Sequence, residues 1–121
     1  MKIYKNKQFK RWQSKNKISD TVIIKAIEEM ENGLIDADLG GNLFKKRIAK
    51  AGMGKCGGYR TIVAMKQSTG WIFLFGFSKN ESENINSKEL TALKEYANDY
   101  LFVHLEELLK LEEIIEVLIN E

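Results

Sequence analysis

The apolar positions of the chain follow a helical period near both ends and a strand period in the middle. Apolar residues recur every three or four positions over Asp20–Glu31, which predicts a helix there. Ser19 is its predicted N-cap, with Ile23 in a hydrophobic staple. Ahead of it Phe9 and Trp12 lie three apart among lysines and an arginine. This spacing predicts a shorter helix with an apolar edge and a basic face.

Between residues 34 and 78 the period changes to two. We predict strands at Leu43–Ile48, Tyr59–Lys66 and 71–78, the last two joined by a hairpin turning at 67–70. The third strand is apolar on both faces, so it should be central and covered by helices on at least one side. Its phenylalanines, Phe73, Phe75 and Phe77, are predicted to be core. Alternation along the second strand puts two sets of residues on opposite faces: Tyr59, Thr61, Val63 and Met65 on one, Arg60, Ile62 and Ala64 on the other.

The C-terminal third is predicted to begin with a helix. Asn86 is a suitable N-cap, and an apolar stripe runs from Leu90 to Leu101. Beyond it, residues 105–121 form an acidic amphipathic extension that fits a helix, although part of it is also a plausible strand. The extension is expected to shield a basic face, dock a partner or complete the core. The length of 121 residues fits one domain spanning the whole chain.

Charge is strongly segregated along the chain. Residues 39–80 contain eight Lys or Arg and no Asp or Glu, whereas residues 81–121 contain three basic and eleven acidic residues. The net charge of +2 hides this asymmetry. A basic centre followed by an acidic tail indicates a cationic face for an anionic partner, most plausibly nucleic-acid phosphate.

Few other kinds of site are compatible with the composition. Cys56 is the only cysteine and His104 the only histidine, so a disulfide framework and a metal site of the usual ligands are both disfavoured. The basic N-terminus lacks the continuous apolar stretch of a signal peptide, and no apolar run is long enough to cross a membrane. We therefore expect a cytoplasmic protein without membrane contact.

A glycine-rich basic segment occupies residues 49–60. Its Gly54 and Lys55 resemble part of a phosphate-binding P-loop, but Ala49 and Cys56 stand where that motif needs Gly and Ser or Thr. We interpret it instead as a loop whose lysines, Lys50 and Lys55, follow an RNA backbone.

Several sequence blocks occur in an order that resembles the RelE/HigB-type toxins of bacterial type II toxin-antitoxin systems, within the RelE/ParE superfamily. The blocks are residues 36–42, 43–48, 54–55, 57–63, 73–81 and 84–85. The similarity covers roughly residues 2–102 and leaves the C-terminal extension outside.

The resemblance implies an α+β fold, with a small twisted antiparallel β-sheet flanked by N-terminal helices and a C-terminal helix. It implies a ribosome-dependent mRNA endoribonuclease that cleaves in the A site and inhibits translation, without metal or organic cofactor. Its implied partners are the ribosome, mRNA and a cognate antitoxin, which often carries a helix-turn-helix domain.

Cleavage without metal requires a base for the neighbouring 2′-hydroxyl, cations for the phosphorane and a donor for the leaving 5′-oxygen. By resemblance, Arg60 would bind the scissile phosphate, and Lys45 or Lys46 would act as the base, with the other bracing the phosphate. Lys79 and Asn80 stand where the family places its proton donor, although an arginine is usual at Asn80.

The remaining cations and one ring are expected to contact RNA: Arg47, Lys50, Lys55 and Tyr59. His104 is interpreted as structural, because it lies outside the basic window. The family's stacking tyrosine has no counterpart in residues 83–87.

Two other functions remain open from the sequence. ParE-like toxins are similar in fold and poison DNA gyrase without cutting RNA. A non-catalytic nucleic-acid-binding protein is the second alternative.

Overall fold

The computed structural model describes residues 1–49, 58–78 and 85–119, which form a sheet with helices on both faces. The strands are β1 Lys2–Asn6, β2 Ala37–Gly40, β3 Leu43–Ile48, β4 Tyr59–Lys66, β5 Gly70–Ser78 and β6 Ile114–Val117. The helices are α1 Lys7–Lys15, α2 Asp20–Glu31, α3 Ser87–Glu95 and α4 Leu105–Lys110, with a π-helical turn at Tyr96–Leu101 between α3 and α4. No helix in this part of the chain has the length and apolar character that a membrane span requires.

The six described strands are ordered β2-β3-β4-β5-β1-β6. Neighbours are antiparallel except β1 and β5, which run parallel. The predicted α+β fold is thus confirmed, with one parallel pair in a mostly antiparallel sheet. The predicted bounds of β3, β4 and α2 are confirmed, as are the β4–β5 hairpin and the central place of β5.

Two separate apolar cores lie on the two faces of the sheet. On the α1/α2 face, Phe9, Ile23 and Val63 are buried with β-sheet neighbours. On the α3/α4 face, Ile62 and Leu101 belong to the second core. The predicted alternation of β4 is therefore confirmed, and β5 is covered on both sides.

A β-bulge in β5 changes which side chains face which core. Ile62 pairs with Phe75 and Val63 with Phe73, so Leu74 has no partner in this ladder. Leu74 and Phe75 both pack into the α3/α4 core, whereas Phe73 packs on the other face. Phe73 and Phe77 are buried core residues as predicted, but the bulge places them on opposite faces.

The C-terminal extension contains both of the structures that its sequence allowed. α4 comes first, and β6 then pairs antiparallel with β1 at the edge of the sheet. Four apolar side chains of this segment are buried: Leu105, Leu108, Ile114 and Val117. The segment therefore completes both cores.

Strands β1 and β2 were not predicted from the sequence pattern. In β1, Ile3 and Tyr4 point into different cores, so the strand lacks polar and apolar alternation. Gly70 lets β1 approach β5 closely, because a Cβ there would collide with the carbonyl oxygen of Lys2. Ser19 is the N-cap residue of α2 as predicted, but its side chain makes no capping hydrogen bond.

Candidate functional site

Three cations lie together on the α3/α4 face where β3 ends and β4 begins. Arg47 and Arg60 are directly opposite each other across the two strands, and Lys45 precedes Arg47 by two residues on the same face. On the β5 side of β4, Arg60 pairs with Phe77. Like charges opposite each other destabilise a sheet, so this end of the sheet favours a bound anion.

Arg60 is the most constrained of these cations. Only 9% of the residue is exposed, and its Nη1 atom is buried without a hydrogen-bond partner among the described residues. A buried donor on a charged group is costly to leave unsatisfied. The guanidinium has the geometry to bind a phosphate through two parallel hydrogen bonds.

Arg47 is more exposed and is held by Asp36. The Asp36 carboxylate accepts a hydrogen bond of 2.6 Å from the backbone N–H of Arg47, and its other oxygen lies 3.7 Å from the Arg47 Nε. This contact orients the strand end and leaves 43% of the Arg47 side chain exposed. Asp36 was not singled out in the sequence, because nothing in its spacing shows that it meets Arg47.

Lys46 does not share the face of Arg60. Its ammonium forms a 2.9 Å ion pair with Glu29 of α2 and donates a 3.0 Å hydrogen bond to the carbonyl oxygen of Leu34. Only 3% of Lys46 is exposed. Alternation along β3 allows only one of the two lysines to face the site. The structure shows that Lys45 is on the face of the arginines, whereas Lys46, one of the candidate catalytic residues, ties β3 to α2.

Tyr59 also faces away from the arginines. Its ring is buried on the α1/α2 face and meets the ring of Trp12 edge-on, with 5.2 Å between centroids. The sequence grouped Tyr59 with the RNA-contacting residues, although the alternation of β4 already placed it opposite Arg60. Its burial removes the ring from any surface on that side.

The other predicted site residues, Lys50, Lys55, Lys79 and Asn80, lie outside the described residues. The nearest described strand residues, Ile48, Tyr59 and Ser78, pair with one another at the same end of the sheet as Arg60. Among the described residues there is no group of three His, Cys, Asp or Glu side chains that could hold a metal ion.

The model of one protein family matches residues 1–118, and its description is the RelE toxin of the RelE/RelB toxin-antitoxin system. The chain belongs to the RelE toxin family. The match includes the C-terminal segment through β6, beyond the region on which the sequence resemblance rested. No curated protein matches the chain significantly.

Membership of the RelE family implies that the protein has an antitoxin as its partner. The cationic end of β3 and β4 is suited to an anionic ligand. It combines a buried arginine, a half-exposed arginine and a lysine on one face.

Proposed function

We propose that this RelE-family toxin is a ribosome-dependent endoribonuclease, which cleaves mRNA in the A site and is neutralised by an antitoxin with a helix-turn-helix domain. The observation that carries the proposal is the buried Arg60 guanidinium, whose Nη1 has no partner among the described residues. It lies opposite Arg47 and on the same face as Lys45. A phosphodiester bound here would accept a hydrogen bond from this Nη1 and balance the positive charge of the three cations.

The proposed step uses the RNA's own 2′-hydroxyl as the nucleophile. Lys45, in its unprotonated form, accepts the 2′-proton while the 2′-oxygen bonds to phosphorus. Arg60 and Arg47 neutralise the charge that develops on the phosphorane oxygens. The bond from phosphorus to the 5′-oxygen then breaks as this oxygen takes up a proton, and the products are a 2′,3′-cyclic phosphate and a 5′-hydroxyl.

The proton for the 5′-oxygen comes, in this proposal, from the segment that contains Lys79 and Asn80. Lys79 is the candidate donor, because an ammonium can give up a proton and the Asn80 amide is a poor acid. Asn80, Lys50 and Lys55 would contact the RNA. Lys46 and Tyr59 have no part in this proposal, since both face the α1/α2 core.

The decisive experiment incubates the purified protein with ribosomes programmed with a defined mRNA and maps cuts by primer extension. Wild type is compared with Arg60→Ala and with ribosome-free mRNA. The matched control is Lys66→Ala, because Lys66 is an exposed cation at the other end of β4. We expect a cut in the A-site codon that needs the ribosome, falls about 100-fold or more in Arg60→Ala, and persists in Lys66→Ala.

Absence of any cut by folded wild-type protein would contradict the proposal. A DNA supercoiling assay would then test gyrase poisoning, the alternative open from the sequence. Cleavage that persists undiminished in Arg60→Ala would instead remove Arg60 from the catalytic site.

A further inference from the structure

An exposed ladder of aromatic rings lies on the π-helical turn. Tyr96 and Tyr100 are 40% and 48% exposed, and their rings stack at 6.0 Å between centroids with 18° between planes. The His104 ring follows at 5.3 Å from Tyr100. Exposed stacked rings contribute little to a core, so this ladder is available to a ligand.

The tyrosines are four residues apart, a spacing that places side chains on one face of a helix. The backbone N–H of Phe102 bonds to the carbonyl oxygen of Ala97 at 3.0 Å, five residues earlier, which widens the turn. Such turns occur frequently at functional sites. Tyr96 and the buried Asn6 both line the groove beside this turn.

Cations of α1 stand beside the ladder. A groove of about 560 Å³ is lined by Tyr96, Tyr100, Lys7 and Arg11, and the carboxylate on its wall belongs to Glu113. Helix α1 contains no acidic residue, and residues 1–19 hold seven Lys or Arg and no Asp or Glu. This basic face is not used by the proposed cleavage site, and its charge is complementary to phosphate.

The groove opens at the same end of the sheet as Arg60. β1 ends at Asn6 beside the groove, and β4, which carries Arg60, is two strands away. At the usual strand spacing this is about 10 Å across the sheet, and Asn6, which follows the Lys5–Phe73 pair, is a further ~10 Å from the level of Phe77 along the strands. Tyr96 and Phe75 line one apolar cleft, and Phe75 lies two residues before Phe77, the cross-strand partner of Arg60. An RNA strand bound at Arg60 needs only a few nucleotides to reach the ladder.

We propose that the tyrosine ladder and the basic face of α1 form a second subsite for single-stranded RNA. An unstacked base packs on Tyr100, and Lys7 and Arg11 bind the adjoining phosphates, because base–aromatic stacking beside cations is how single strands are held without sequence preference. The occupant is the same RNA strand that passes Arg60, so this continuity rests on the proposed function.

The test measures the affinity of the full-length protein for a short fluorescein-labelled single-stranded RNA by anisotropy, without ribosomes. We expect Tyr100→Ala to weaken binding about tenfold and Tyr100→Phe to bind like wild type, since a phenyl ring still stacks.

Arg11→Glu should weaken RNA binding and make the affinity less dependent on salt concentration. The charge-matched control is Lys25→Glu, on the exposed face of α2, which should leave affinity unchanged. Circular dichroism checks that each variant is folded.

Unchanged RNA affinity in folded Tyr100→Ala and Arg11→Glu would overturn the proposal. If the same variants instead weakened the complex with the antitoxin, the ladder would be a protein interface. The proposed RNA subsite and the proposed endoribonuclease activity can be contradicted independently. RNA binding that depends on Tyr100 in a protein that cuts no mRNA would keep the subsite and remove the endoribonuclease, whereas Arg60-dependent cleavage with unaffected RNA binding would do the reverse.

Discussion

At the scale of single residues, Arg60 is placed for a ligand at a cost to the folded protein. Its buried guanidinium has an unsatisfied Nη1 in the described part of the fold and lies opposite a second arginine. Arg47 is at least held by Asp36. Residues kept in such settings commonly serve binding or catalysis.

This cost predicts that Arg60→Met stabilises the protein in the absence of ligand. A methionine fills similar space without a buried charge, so the free energy of unfolding should rise by about 1 kcal/mol. Urea unfolding followed by tryptophan fluorescence measures it. In parallel, inorganic phosphate should stabilise wild type more than Arg60→Met, because only wild type keeps the anion site. A variant less stable than wild type in phosphate-free buffer would show that Arg60 contributes to the fold.

Lys45 and Lys46 form a matched pair that separates catalysis from stability. Lys46→Ala removes a buried ammonium together with its ion pair to Glu29 and its hydrogen bond to the Leu34 carbonyl oxygen, and we expect it to cost about 2–3 kcal/mol of unfolding free energy. Lys45→Ala should cost less than about 0.5 kcal/mol and remove most mRNA cleavage. Urea unfolding and the ribosome assay measure the two effects. Cleavage that survives Lys45→Ala at the wild-type rate would exclude Lys45 as the base.

At the scale of elements, the sequence predicts the helices and strands whose own residues carry a clear signal. It misses the strands that form only through contacts with distant parts of the chain. Helix α2 has one polar and one apolar side, so its bounds follow from periodicity. Strands β3 and β4 have apolar residues on both faces, and their bounds follow from the glycine-bearing segments on either side of each. β1 has no such pattern, since Ile3 and Tyr4 are both buried on different faces. β2 contains Asp38 and Gly40, residues that are depleted in strands.

The candidate site could likewise be predicted from the sequence only in part. Alternation alone puts Lys45 and Arg47 on one face of β3 and Lys46 on the other. Which set meets Arg60 depends on the register of β3 against β4, and the structure pairs Arg47 with Arg60. A one-residue slip would have placed Lys46 beside Arg60. The long connection between the strands carries no turn signal that fixes this register.

A polar cluster connects β1, α1 and α2, and its contribution to stability depends on pH. Lys5 of β1 donates to Gln13 of α1 at 2.8 Å and to Asp20 of α2 at 2.9 Å. Burial raises the pKa of the Asp20 carboxyl, but hydrogen bonds from Gln13 and Lys5 and the charge of Lys5 outweigh it, so that this pKa lies below its ordinary value.

A lowered pKa in the folded state means that ionised Asp20 stabilises the protein above the ordinary Asp pKa of about 4. That contribution is lost as the pH falls through the lower folded-state value. We expect Asp20→Asn to cost about 0.5–1 kcal/mol at pH 7, because the carboxylate is half exposed. The deficit should shrink as the pH falls below the ordinary Asp pKa and through the lower folded-state pKa. Urea unfolding of both proteins across this range measures it, and a deficit independent of pH would contradict the ionic origin.

At the scale of the whole molecule, the order of the strands places β6, the last strand of the acidic segment, far from the basic residues of β3. β3, with the basic residues, and β6, within the acidic segment, are separated by three strands. At the usual strand spacing they lie about 19 Å apart. The sequence left open whether the acidic tail shields the basic face, docks a partner or completes the core. The pairing of β6 with β1 shows that the tail completes the core.

Truncation before Leu105 therefore removes part of the fold rather than an inhibitory arm. It deletes four buried apolar side chains and the strand beside β1. At about 1.5–3 kcal/mol for each buried side chain, the loss matches the whole stability of a typical domain. We expect the truncated protein to lack cooperative thermal unfolding by circular dichroism. Deleting only residues 118–121 should have little effect, since Leu118 and Ile119 are exposed. A soluble, cooperatively folded protein ending at residue 104, with increased toxicity, would instead show that the segment acts as an inhibitor.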